Sequence, residues 1–323
     1  MLMLRVFMHT IFIKSLRVPQ LIVVALLWLS VLTSASAQEQ RFNFDHLDKG
    51  FAPVVAALSE NDHKAADKAL KQLRRTLGNT GDYHFLEGII TVLSMNDASA
   101  IRLPFLARRM RNQWNEALEK EPNHELAHLS LLQFHANAPG IAGGDKDQAA
   151  FHAERLKQLN SPFRFQADIA LAAMAEDTEA EEAAWLAWFN DQPENLSIRI
   201  NYIALRVNAQ KYAEALSQMQ YVLANTDSDN EEHQALAAQV YYQWGKLAAE
   251  SGEELANGAH YLQVLLAENR VPETTPAGWA QYRLAQIYFH QDRIEEANAM
   301  KAEAQVSAEN DENLREALKK LES

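Results

Sequence analysis

Cysteine is absent from the 323 residues. Its absence excludes disulfides, a cysteine-linked lipid anchor and any Cys–His nucleophile. Glycine is scarce at 11 residues, and the two-residue alternation of Val, Ile and Thr that marks strands is missing. Positive charge is short as well, with 30 Lys and Arg against 43 Asp and Glu. Nucleic acid and anionic lipid surfaces call for basic patches, so neither is an expected partner. What remains is rich in Ala, Leu, Glu and Gln, good helix formers.

The first 37 residues read as an export signal. Arg5, Lys14 and Arg17 supply only positive charge, an apolar run follows from Leu21 to Leu32, and Ala35 and Ala37 form a small-x-small cleavage pattern. The run falls short of the roughly 20 residues of a comfortable membrane span. Cleavage after Ala37 starts the mature chain at Gln38; retention as an N-terminal anchor is the alternative. Removing the signal takes away three positive charges and no acid, so the net charge moves from −13 to −16. The expected location is the periplasm, or outside the cell, with no stable membrane insertion after cleavage.

From residue 38 to 323 the sequence predicts one all-α array. Segments of about a dozen residues carry apolar positions at i, i+3, i+4 and i+7 and are separated by short polar breaks. Pro122, Pro139, Pro162, Pro193, Pro272 and Pro276 sit at those breaks. The last unit places Leu284, Ala285 and Tyr288 on a first helix, with Ala297 and Ala304 on a second. Tyr202, Arg206, Tyr212, Ala215 and Val222 repeat the scheme upstream. So do Trp244-Gly245, Ala248, Leu262 and Leu265, and before them Ala183 with Trp188, Ala149 with Leu156, and Leu86-Glu87-Gly88 with Ala117. A further unit around Ala66 and Leu73 brings the expectation to six or seven helical hairpins. The small residues let two helix backbones approach, and the aromatics fill the space toward the next hairpin.

This phasing, near roughly 34 residues with insertions, resembles the tetratricopeptide-repeat (TPR) family. The resemblance implies a right-handed superhelical array of antiparallel hairpins whose concave groove, lined by first helices, binds another protein or a peptide. The Ala138-to-Ala149 stretch, with its Gly143-Gly144-Asp145 turn, resembles exported bacterial members, among them the T component of certain periplasmic solute transporters. The function expected is therefore a non-enzymatic periplasmic TPR protein mediating protein–protein interaction, without cofactor, metal or catalytic residues. An accessory role in solute transport is one alternative.

The other alternative is a zinc metallohydrolase. His124-Glu125-Leu126-Ala127-His128 is a literal HExxH, in which two His one turn apart grip zinc and the Glu activates its water. Against it, the motif starts directly after Pro122-Asn123, Ala127, Leu131 and Phe134 belong to the packing face, and no third ligand is at hand. His135 lies two turns from His128, roughly 10 Å along the helix. Gly140-to-Lys146 imitates a phosphate loop, but Asp147 stands where Ser or Thr is needed; the sequence predicts Asp145 as the cap of the next helix. Asp227, Asp229, Glu231 and Glu232 hint at calcium yet lack the Gly and late Glu of an EF-hand loop, and read as a solvated linker.

Carrying the groove positions of the family over puts His128, Leu132 and His135 on the concave face of one unit. Tyr242 and Lys246 take those places in a later unit, and Tyr282, Gln286 and Phe289 in the last. For Tyr282 and Phe289 the alternative is packing beneath a capping helix from Glu312 to Leu321.

Overall fold

The computed structural model describes residues 44, 47–99, 101–272 and 275–321. The expected export signal and its cleavage pattern lie outside these residues. Fifteen α-helices and no strand are found among the described residues. In chain order they are α1 (Ala52–Ser59), α2 (His63–Leu77), α3 (Gly81–Ser94), α4 (Leu103–Lys120) and α5 (Glu125–Asn137). Next come α6 (Lys146–Gln158), α7 (Arg164–Met174), α8 (Thr178–Asp191), α9 (Leu196–Asn208) and α10 (Tyr212–Ala224). The chain ends in α11 (Glu231–Ser251), α12 (Leu255–Ala267), α13 (Ala277–His290), α14 (Ile294–Ser307) and α15 (Glu312–Lys320). The fold is an all-α array of helical hairpins.

The contacts form two compact units, one through Ala187 and one from Trp188 onward, and the boundary falls inside α8. In the first unit α1/α2, α3/α4 and α5/α6 are hairpins, with α7 against α5 and α6. In the second, α9/α10, α11/α12 and α13/α14 are hairpins, and their first helices α9, α11 and α13 lie side by side.

Small residues set the approach of paired helices. A Cβ at Gly88 on α3 would lie 2.2 Å from the Trp114 Nε1 of α4, and one at Gly245 on α11 would lie 2.3 Å from Leu262 of α12. Ala117, Ala149, Ala215, Ala285, Ala297 and Ala304 have no exposed surface. The scarcity of glycine leaves most tight turns to other residues. Asn61, Asn160, Glu176, Gln210, Asn269 and Asp292, which closely follow helix ends, adopt positive φ. Among these, Asn and Asp tolerate the left-handed conformation better than most residues.

The Gly143-Gly144-Asp145 segment is a helix-initiating turn. Gly143 takes φ of 98°, Gly144 passes so close to the Ala138 carbonyl that a Cβ would sit 1.7 Å from it, and Asp145 accepts from the N–H groups of Asp147 and Gln148. That leaves the loop no cradle of inward N–H groups for phosphate. The acidic 227–232 segment is likewise a turn and cap: Asp227 accepts from the Asp229 N–H, and Asn230 accepts from those of Glu232 and His233. Glu231 and Glu232 then occupy the first turn of α11, where the helix dipole favours negative charge.

Candidate partner-binding site

Tyr242, Lys246 and Glu250 stand one turn apart along α11, so they share a face. Neighbouring helices bring Asn208 from the end of α9 and Arg283 and Gln286 from α13. Lys246 Nζ donates to Asn208 Oδ1. Arg283 Nη2 lies 2.9 Å from Glu250 Oε1, and its Nη1 donates to Gln286 Oε1 at 3.0 Å. The same guanidinium lies over the Tyr282 ring at 5.3 Å. Arg283 Nε is buried without a partner.

Burial pushes the Lys246 ammonium below its usual range; Glu250 opposes the shift and Arg283 adds to it. Burial likewise raises the Tyr242 phenol, with Arg283 pulling against it. Two cations thus flank one carboxylate on a half-buried face, Arg283 paired with it and Lys246 bonded to Asn208. The arrangement offers fixed donors and a net positive spot, which suits a carboxylate or a backbone carbonyl of a bound segment.

Of the residues expected in a groove, Tyr242, Lys246 and Gln286 come together here. The others are placed differently. Leu132 has no exposed surface and packs with Leu129, Ala149, Ala153 and Leu156 inside the α5/α6 hairpin. His128 and His135 are also buried, facing His152 of α6. Helix α5 is enclosed nearly all round, so its sequence carries little amphipathic bias to tell one face from another. Tyr282 packs with Ala304, Ala308, Leu314 and Leu318, beneath the last helix, as the alternative had it. Phe289 packs instead with the α11–α13 core. Asn208, Glu250 and Arg283 were missed. Only Glu250 had a signal, its spacing of four from Lys246.

The HExxH residues are committed elsewhere. His124 caps α5: its Nδ1 accepts from the Ala127 N–H, and its Nε2 donates to Asp82 at 3.1 Å. His128 Nε2 donates to the Pro122 carbonyl at 3.0 Å, and its Nδ1 lies 2.9 Å from His152 Nδ1. Glu125 accepts from the Ser161 hydroxyl. Among the described residues, no group of three metal-capable side chains contains both His124 and His128.

Comparison with solved structures decides the architecture. The crystal structure of yeast Tom70, a TPR-containing helical repeat protein, superposes with a TM-score of 0.52 at 15% identity over 87% of this chain. The chain carries a TPR-like helical repeat fold. It spans 65% of the length of that structure. No family model matches the chain, and no curated protein does. A TPR-like array makes the α9, α11 and α13 faces a run of first-helix surfaces, and Lys246 and Arg283 stand on two neighbouring members of that run.

Proposed function

We propose that this TPR-like protein is a non-enzymatic scaffold that holds a segment of another protein against the first helices of its second unit. The observation that carries the reading is that Lys246 and Arg283 stand on neighbouring first helices, Arg283 paired with Glu250 and Lys246 bonded to Asn208, with Tyr242 and Gln286 beside them. The bound segment places a carboxylate, from a side chain or a chain end, beside Lys246. The chain's overall negative charge disfavours nucleic acid as partner.

Pull-down with the mature protein tests this. Lys246→Glu should reduce partner capture by about tenfold or more, since it places like charges together at a partly desolvated contact. The melting temperature should stay near that of the unaltered protein, because among the described residues Lys246 has Asn208 alone as a bonded partner. Undiminished capture by a stably folded Lys246→Glu protein would remove the site.

We also propose that the protein works outside the cytoplasm. The basic start, short apolar run and Ala35-x-Ala37 pattern support this, as does the likeness of the Gly143-Gly144-Asp145 turn to exported bacterial repeat proteins. Among the described residues no helix is long and apolar enough to cross a membrane. N-terminal sequencing of the exported protein should read Gln-Glu-Gln-Arg-Phe; a full-length species extracted from membranes would count against cleavage.

A further inference from the structure

The first unit holds a further polar cluster that shares no residue with the HExxH motif. Helix α3 presents His84 and Glu87, three residues apart and therefore on one face. The antiparallel α4 presents Gln113 and Glu116 opposite them. His84 Nδ1 lies 3.1 Å from Glu87 Oε2 and 3.4 Å from Glu116 Oε2, and one ligand atom from each of the three lies within 4.8 Å of the others. We propose that His84, Glu87 and Glu116 bind one divalent transition-metal ion, such as Zn²⁺, which clips α3 to α4.

Three observations carry this. The first is spacing. A metal with bonds of ~2.0–2.2 Å holds adjacent ligand atoms about 3.0–3.5 Å apart in octahedral or tetrahedral geometry, which is the range of the two His84 distances.

The second is charge. Two carboxylates converge on one imidazole nitrogen, and among the described residues no Lys or Arg pairs with either. Among the described residues the one ion pair that each carboxylate forms is with His84. A cation in the centre satisfies all three groups at once.

The third is Gln113. With its amide nitrogen inward it donates to Glu87 Oε2 at 2.7 Å and Glu116 Oε2 at 3.1 Å. Half a turn about its last bond presents the oxygen to the same point, as a fourth ligand. The amide therefore serves the empty cluster in one orientation and the loaded one in the other.

The backbone beneath is fixed. Gly88 follows Glu87, Trp114 follows Gln113, and these two make the close contact between the helices. The ligand pairs are thus held one residue from the tightest point of the hairpin. One imidazole with carboxylate and amide oxygens suits zinc, manganese or ferrous iron. The neighbouring Asp82–Glu121–His124 group is a poorer candidate. His124 Nδ1 accepts the Ala127 N–H, so its Nε2 carries the proton; a metal there would force a proton onto Nδ1, against that N–H.

The test uses the whole mature chain, stripped with a chelator and titrated with Zn²⁺ by calorimetry, with thermal melting alongside. One equivalent should bind and raise the melting temperature. His84→Ala and Glu116→Gln should each weaken binding at least tenfold and abolish the rise. Glu116 is an exposed side chain, so its variant keeps the proposal testable should His84→Ala unfold. Absence of binding, or binding at unchanged strength in a folded Glu116→Gln protein, overturns it.

Discussion

Truncating Trp114 to alanine should lower the stability of the first unit by about 3–5 kcal/mol, the usual range for removing a buried tryptophan. Its indole is 1% exposed and lies in the core that joins Phe51, Phe85, Leu86, Met110 and Leu131. The ring edge fills the space that Gly88 leaves open, so truncation empties the contact between the two helices. The indole N–H has no acceptor, so the loss is one of packing rather than of a hydrogen bond. Trp114→Phe should therefore cost markedly less, since it keeps much of the ring and removes an unbonded donor. Urea unfolding followed by circular dichroism measures both variants. A loss below about 1 kcal/mol for Trp114→Ala would mean that the hairpin contact is not the anchor of this unit.

Acid should destabilise the first unit well before its carboxylates are protonated. His152 is 3% exposed; burial, followed by the charges of His128 and His135, pushes its imidazole down to about 3. Burial also lowers His128 and His135, the former with Arg155 and His124 adding, the latter with Arg111 adding and Asp145 opposing. The hydrogen bonds agree with neutral rings. His128 Nε2 gives its proton to the Pro122 carbonyl, so its Nδ1 is an acceptor and His152 Nδ1–H is the donor. A basic group whose pKa is depressed on folding contributes nothing above the unfolded value. Below about 6.5 the unfolded chain takes up protons that the folded chain refuses, and stability falls until about 3. At pH 4.5 His152 alone should cost on the order of 2–3 kcal/mol relative to pH 7. Melting curves of the unaltered protein and of His152→Gln, compared at pH 7 and 4.5, isolate the term. Glutamine can still donate to His128 but does not titrate, so its curve should fall less with acid. Equal falls in the two proteins would show that the imidazole cluster is not the acid-sensitive element.

Much of the fold was legible because the repeats leave a mark at small residues. Ala127, Leu131 and Phe134, read as a packing face, are all buried, and Asp145 caps the helix whose start it marks. Legibility failed where burial is isotropic. Helix α5 buries nine of its thirteen residues, so the face bearing His128, Leu132 and His135 could not be told from an outward one by pattern alone. It failed again for pairs far apart in the chain. His84 and Glu87 are an unremarkable turn of helix until α4 brings Glu116 beside them. Arg283 likewise gains meaning only when α13 lies against α11.

Within each unit the hairpins pair helices that are adjacent in the chain, and stacked helices lie two elements apart. For an unfolded polypeptide this means that the loops to be closed are short, and the loss of chain freedom on closing each is small. A topology of such local contacts belongs with the fast folders. Assembly can then begin at any hairpin and spread to its neighbours. An emerging chain has no need to wait for its distant end before burying the apolar side of a helix. The tight Gly88–Trp114 and Gly245–Leu262 contacts, each within a single hairpin, are the natural places for that growth to start.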